Sequence, residues 1–289
     1  MAAPDLSLIP NIPRPNRVLL TSPEYFEVKY VINPHMAGNV GEVDQELACR
    51  QWDGLKAAYE QLGVDVTVLP GQPHVPDMVF CANQTLPFRR PDGSLGAVMS
   101  RMHAPQRRPE VPFYAEFFET IGYEVHGLDP DLPGDFEGMG DAIWHPGRFL
   151  LWGGYGHRTN RVVYDRLATK LDFQIIPLEL VDPVFYHLDT CFCPLDEATV
   201  LIYLGAFTEE AVATIRRYFR AVIESPEDEA RSMLSCNAHS PDGRHVIVQR
   251  GAAETNRLLR THGFEPIEVD TDEFLKAGGS VFCMKLMYW

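Results

Sequence analysis

The feature that most restricts how this 289-residue chain can fold is a recurring order of short segments: apolar strand, tight turn, second apolar strand, amphipathic helix, third strand. One unit predicts strands at Asp77–Leu86, Gly96–Arg101 and Tyr123–Leu128, with a turn at Pro91-Asp92-Gly93 and a helix at Tyr114–Thr120. The same order recurs over Asp141–Leu180, His187–Glu224 and Met233–Val269. A fifth unit is completed only circularly, by pairing Ser280–Tyr288 with Arg17–Thr21 ahead of the helix Asp44–Leu62 and the strand Val64–Leu69. The expectation is an α/β five-bladed propeller, a pseudo-fivefold ring of ββαβ modules. Residues 17–289 would form a single catalytic domain closed by its N- and C-terminal strands, and residues 1–16 a loose, proline-rich N-terminal arm.

Within this grammar the opening strands carry Asn83, Asp141, Asp189, Asn237 and Cys283, spaced by 58, 48, 48 and 46 residues. A central strand ordinarily places Val, Ile or Leu at such positions, so a repeat-equivalent polar set predicts residues converging on the axis of the ring. His187 and Asp189 stand two residues apart, on one face of the predicted strand. A thiol, an imidazole and several carboxylates brought together are the parts of a nucleophilic site.

Composition narrows the partners. The formal charge of -15 excludes a phosphate-binding surface, hence nucleic acid, and suits a small cationic substrate. The longest apolar run, Thr199–Leu204, has strand length and cannot span a bilayer, so no membrane association is expected. With no export signal, the six cysteines read as free thiols of a cytoplasmic protein. Nothing in the chain implies a cofactor: Gly153-Gly154-Tyr155-Gly156 lacks the strand-to-helix placement that cradles phosphates. His187, Cys191 and Cys193 lack the spacing of a zinc cluster, so no metal is expected. A homo-oligomer stays open.

Three segments carry a resemblance: Phe136-Glu137-Gly138 with Gly140-Asp141, Phe185–Phe192 around His187-Leu188-Asp189, and Glu273–Gly279 followed by Cys283. They are similar, in order and spacing, to the guanidine-modifying enzymes of the pentein superfamily. That group contains arginine deiminases, dimethylarginine dimethylaminohydrolases, amidinotransferases and arginine dihydrolases. Tyr30–Met36 and Asp77–Asn83 resemble the arginine dihydrolases most. Deiminases and dimethylaminohydrolases carry an aspartate where this chain has Asn83. An amide both donates and accepts, so it can hold charged arginine or a neutral ureido group. Gln84-Thr85 departs from the small Ala-Gly pair of the dihydrolases.

The resemblance implies Cys283 as nucleophile, His187 as the group that protonates departing ammonia and activates water, and Glu137 as the carboxylate that holds the imidazole. It implies Asn83, Asp189, Asp141, Arg101 and Asn33 as substrate-binding residues, with Arg101 at the α-carboxylate and Asp189 accepting guanidinium N–H bonds. Asp141 is equally readable as a brace for its loop. The expected activity is metal-independent hydrolysis of arginine to ornithine, ammonia and carbon dioxide through a covalent amidino-thiol. The rivals are single-round hydrolysis of arginine or methylated arginine to citrulline, amidino transfer to an amine, and a binding-only pentein.

Overall fold

The computed structural model describes residues 6–289 and contains five separate sheets. In chain order the elements are β1 (Arg17–Thr21), α1 (Gln45–Gln61), β2 (Asp65–Leu69), β3 (Thr85–Arg89), β4 (Leu95–Met99), α2 (Val111–Thr120) and β5 (Glu124–His126). There follow α3 (Gly138–Asp141), β6 (Ala142–Trp144), β7 (Leu150–Tyr155), α4 (Arg161–Leu171), β8 (Gln174–Glu179), β9 (Phe192–Pro194), β10 (Thr199–Ile202), α5 (Glu209–Tyr218) and β11 (Ala221–Glu224). The chain ends with α6 (Glu227–Met233), β12 (His245–Gln249), α7 (Ala253–Thr261), β13 (Glu265–Val269), α8 (Asp272–Leu275) and β14 (Leu286–Tyr288).

Each sheet is built to one plan. Its middle strand pairs antiparallel with an inner strand and parallel with an outer one, as β4 does with β3 and β5. A hairpin turn suffices for the antiparallel pair, whereas the parallel partner needs a crossover, supplied each time by a helix. Middle strands such as β10 are buried along their length, while outer strands such as β2 stay half exposed. In the fourth unit the inner strand shrinks to a single bridge, His239 to Ile247. The two chain ends meet as expected: Val18 of β1 pairs with Met287 of β14 and, on its other side, with Val66 of β2.

Two expectations are corrected. The polar positions do not lie on strands; each sits on a tight turn just ahead of an inner strand. Asp141 ends the short helix α3, Asp189 lies in the 3-10 turn Leu188–Thr190, and the segment around Asn237, expected as a strand, follows α6 as a turn. Side-chain bonding explains the difference. Asp141 Oδ1 accepts the Leu188 N–H at 3.0 Å, and Asn237 Nδ2 donates to the Asp189 carbonyl at 2.8 Å, so these residues bind the backbone of the neighbouring unit's turn. The second correction concerns the N-terminal arm. From Leu6 onward it is packed, with Ile9 and Ile12 buried, Phe149 N bonded to Pro10 O, and Trp289 Nε1 donating to Pro13 O.

Among the described residues no helix is long and apolar enough to cross a membrane. Because β14 ties the last residues to the first strand, truncating its core side chain should loosen the whole unit. Leu286→Ala is expected to cost about 2–5 kcal/mol in urea unfolding, whereas Val40→Ala at an exposed position stays within about 0.5 kcal/mol. Equal effects of the two variants would contradict a structural role for the pairing of the chain ends.

Candidate active site

Cys283 is carried on a turn whose geometry is imposed by one amide. Asn237 Oδ1 accepts the N–H groups of Ser280, Phe282 and Cys283 at 3.0, 3.1 and 3.2 Å, and its Nδ2 reaches Cys283 Sγ at 3.1 Å. The Gly279 that precedes this turn has no room for a side chain: a Cβ there would overlap the Phe80 ring and lie 3.1 Å from Cys283 Cβ. The thiol donates to Asp189 Oδ2 at 3.2 Å. Burial, followed by the Asp189 charge and hydrogen bond, pushes the Cys283 thiol well above its ordinary value. Burial likewise pushes the Asp189 carboxyl up to about 7, against the opposing hydrogen bond from Cys283 and the charge of Lys285.

Beside the thiol lies a second pair. His187 Nε2 meets Glu137 Oε2 at 2.5 Å, leaving Nδ1 at 3.5 Å from Asn83 Nδ2. Glu137 is completely buried, and burial by itself raises a carboxyl. Here the His187 hydrogen bond and charge, then the charges of Arg158 and Arg107, outweigh it and hold Glu137 well below the usual carboxylate range. Its Oε1 also accepts the His103 N–H at 2.9 Å. Gly140 is needed at the meeting point, because a Cβ there would overlap the Asn83 amide nitrogen.

A small cavity opens beside this group, lined by Cys283, Asn83, Asn33, Asp77, Arg107, Arg158 and Tyr186, among others. Asn33 faces it, but its side chain is occupied: Oδ1 accepts from His35 N and Met36 N, and Nδ2 donates to Ala277 O. Asp189 and Asn237 brace the nucleophile without lining the cavity, and Asp141 braces the His187 turn. Burial pushes the Asp141 carboxyl up to about 6. Arg101 is the clear displacement from expectation. Its guanidinium binds the carbonyls of Asp129, Leu132 and Gly134, holding a loop, and does not line the cavity.

The cavity's cations are instead Arg107 and Arg158, both missed in the sequence. Arg107, on the 3-10 turn Pro105–Glu110, is paired through Nε and Nη2 with Glu110 and donates from Nη1 to Asn83 Oδ1 at 2.8 Å. Arg158 follows β7 in a loop, lies over the Tyr186 ring at 4.9 Å and faces Glu137 at 3.4 Å. Neither carries a sequence signal beyond being a loop arginine; their burial is visible only in the fold. Asp77 was legible as part of a motif but not as a cavity wall. Its Oδ2 accepts from Tyr30 at 2.7 Å, while Oδ1 has no partner among the described residues.

Comparison with known proteins identifies the family. The sequence matches the family described as N,N dimethylarginine dimethylhydrolase, eukaryotic, over residues 23–287. It is 36% identical over 271 residues to the bifunctional arginine dihydrolase/ornithine cyclodeaminase AgrE of Nostoc, covering 93% of this chain but 37% of that protein. It is 36% identical to the N(G),N(G)-dimethylarginine dimethylaminohydrolase of Mycobacterium tuberculosis, covering 95% of this chain and 86% of the other. Among solved structures, an asparagine-to-serine variant of the N-terminal domain of ArgZ, covalently bonded to a reaction intermediate, superposes with a TM-score of 0.84. It shares 35% identity, with 94% of this chain and 97% of that one covered.

The raised Asp189 carboxyl gives a pH signature. The folded state holds this proton to about pH 7, whereas an unfolded aspartate releases it near pH 4, so folded protein binds more protons in between and loses stability as pH rises through that window. Asp189→Asn removes the titration. The melting temperature of the variant minus that of wild type should therefore increase from pH 5 to pH 8. A difference independent of pH would show that Asp189 ionises in the folded protein as it does in water.

Proposed function

We propose, on the premise that this chain belongs to the N,N-dimethylarginine dimethylhydrolase family, that it breaks the guanidino C–N bonds of arginine through Cys283 and carries the reaction to ornithine. The chain spans 37% of the length of the bifunctional cyanobacterial relatives, so the reading concerns the dihydrolase reaction alone. The five sheets, each with its polar turn at the inner end, support an arrangement as the blades of an α/β-propeller. The catalytic unit would be the single domain closed by β1 and β14. Six unpaired cysteines are in keeping with a reducing cytoplasm.

The observation that carries the reading is the fixed orientation of Asn83. Its carbonyl oxygen accepts from Arg107, so the amide turns its NH₂ toward His187. An NH₂ group donates to a ureido oxygen, whereas a carboxylate at the same place would favour a guanidinium. This refines the expectation from sequence: the Arg107 bond fixes which way the amide is turned and leaves its NH₂ beside His187.

In the proposed course the substrate's carboxylate binds Arg107 and Arg158, and Asp77 Oδ1 accepts from its ammonium. The guanidinium charge beside Cys283 favours the thiolate, which attacks the guanidino carbon. His187 Nδ1 protonates the leaving nitrogen, releasing ammonia and leaving an amidino-thioether on Sγ. His187 then takes a proton from water as water adds to that carbon, and the C–S bond breaks to give citrulline and thiolate. Asn83 retains the ureido oxygen for a second attack, in which the thiolate expels a second ammonia to leave a thiocarbamate; a second water then adds, the C–S bond breaks to return the thiolate, and the carbamate released splits into ornithine and carbon dioxide. The cavity's mixed walls, with Arg107 and Arg158 beside the carboxylate of Asp77, fit an α-amino acid. Single-round hydrolysis is the second reading, supported by the dimethylaminohydrolase relative.

Product analysis with arginine and citrulline tests the proposal: wild type should release ornithine and ammonia from both, and arginine carrying carbon-13 in its guanidino carbon should give labelled carbon dioxide. Cys283→Ser should remove turnover without loss of fold. Asn83→Asp should stop the course at citrulline or slow the second round selectively. Citrulline as the sole product of the wild type would reject the dihydrolase reading and keep the cysteine-hydrolase one.

A further inference from the structure

Asp77 meets the catalytic cavity from the 3-10 turn Pro76–Val79, and its two carboxylate oxygens are treated differently. Oδ2 accepts the Tyr30 hydroxyl at 2.7 Å, whereas Oδ1 is buried and finds no donor among the described residues. A buried carboxylate with one bare oxygen is costly unless a further donor reaches it. Neither neighbouring guanidinium supplies that donor. Arg107 spends Nη2 on the Asp77 and Phe80 carbonyls and on Glu110, and Arg158 gives Nη2 to the Ile32 carbonyl at 2.7 Å and Nη1 to Glu137.

Tyr30 stands 47 positions ahead of Asp77, in a segment fixed around the cavity at three points. Its hydroxyl holds Asp77, the Ile32 carbonyl holds Arg158, and Asn33 Nδ2 donates to the Ala277 carbonyl. The chamber is shut: Asp77, Asn83 and Cys283 are 1, 2 and 2% exposed, and Ile32 and Asn33 form part of its wall. A substrate therefore enters only when residues 30–33 move, and their return re-forms the bond from Tyr30 to Asp77.

The sense of that bond is settled by charge. Burial, then the Asp77 charge and hydrogen bond, push the Tyr30 phenol far above its ordinary value, so the hydroxyl keeps its proton and donates. Burial pushes the Asp77 carboxyl up; the Arg107 charge, the Tyr30 hydrogen bond and the Arg158 charge oppose it, and the Glu137 charge adds to it. Glu110 faces Asp77 as a further like charge. Among these groups only Tyr30 donates a hydrogen bond to the carboxylate itself.

We propose, resting on the reading of this cavity as an arginine site, that Tyr30 is a positioning residue for the substrate's α-ammonium. Its hydroxyl occupies Oδ2 and favours the ionised carboxylate, which leaves Oδ1 to accept from the ammonium as the segment closes. The site is thereby selective for guanidino compounds that carry a free α-amino group.

The test compares arginine with 5-guanidinopentanoate, which lacks only the α-amino group, by initial rates of ammonia release. Wild type should favour arginine in kcat/KM by at least about tenfold, and Tyr30→Phe should lower the arginine value about tenfold, mainly through KM, the scale of one charge-assisted hydrogen bond. The value for 5-guanidinopentanoate should stay within about twofold. Without the hydroxyl, Asp77 holds its proton to higher pH, so the acid limb of kcat/KM should move to higher pH in Tyr30→Phe for arginine alone. Asp77→Asn should abolish the preference for arginine, and adding Tyr30→Phe to it should cost nothing further. Equal losses on the two substrates, or unchanged arginine kinetics in Tyr30→Phe, would overturn the proposal. Wild type that is inert toward arginine rejects the arginine reading and this proposal with it. Turnover of arginine without preference over 5-guanidinopentanoate rejects this proposal alone, and that comparison decides even if a variant fails to fold.

Discussion

One amide side chain sets the geometry on which the centre depends. Asn237 gathers the backbone N–H groups of Ser280, Phe282 and Cys283 on its oxygen and spends its nitrogen on Asp189 O and Cys283 Sγ. A turn buried in the middle of a protein leaves amides that no ladder can satisfy, and each such group left unpaired costs about 1–3 kcal/mol. The clamp removes that cost and fixes the nucleophile in one operation. Packing supports it from the side, since the Phe80 ring closes over Gly279 and Ala82 N binds the Cys283 carbonyl.

The same economy explains why the polar set recurs by unit. At two of the turns the neighbouring unit supplies the acceptor for an inward amide: Asp141 for Leu188, Asn237 for Cys283. The recurrence was legible because its spacing follows the unit length. The local structure was not, since an apolar run such as Val281-Phe282 looks alike whether it forms a strand or a buried turn. Cys283, His187, Glu137 and Asn83 were recognisable from their motifs, and the structure brings them together. Arg101 was misplaced because a loop arginine's target depends on which carbonyls the fold leaves open; Asp129, Leu132 and Gly134 claim it, while Arg107 and Arg158 turn inward.

Electrostatically the site is biased against thiolate chemistry. Burial and Asp189 disfavour the thiolate, and burial keeps Asp189 and Asp141 closer to neutral than exposed aspartates. Glu137 alone is held firmly ionised, by His187 and the two arginines. In the proposed reaction a bound guanidinium supplies the missing positive charge at the thiol, so reactivity and recognition become one event. A thiol kept protonated until the substrate arrives is also shielded from oxidation, which acts on the thiolate.

The departure at Gln84, unexplained by motif, finds its place in the chain of contacts that sets Asn83. Gln84 Nε2 donates to Glu110 Oε2 at 2.5 Å, Glu110 grips Arg107 through Nε and Nη2, and Arg107 Nη1 holds the Asn83 oxygen. Burial pushes Glu110 up to about 7, with Arg107 opposing, so the carboxylate needs every donor it has to stay charged. A small residue at position 84 would withdraw one of those donors. The orientation of Asn83 is thus tied, through Glu110 and Arg107, to a buried residue that does not line the catalytic cavity.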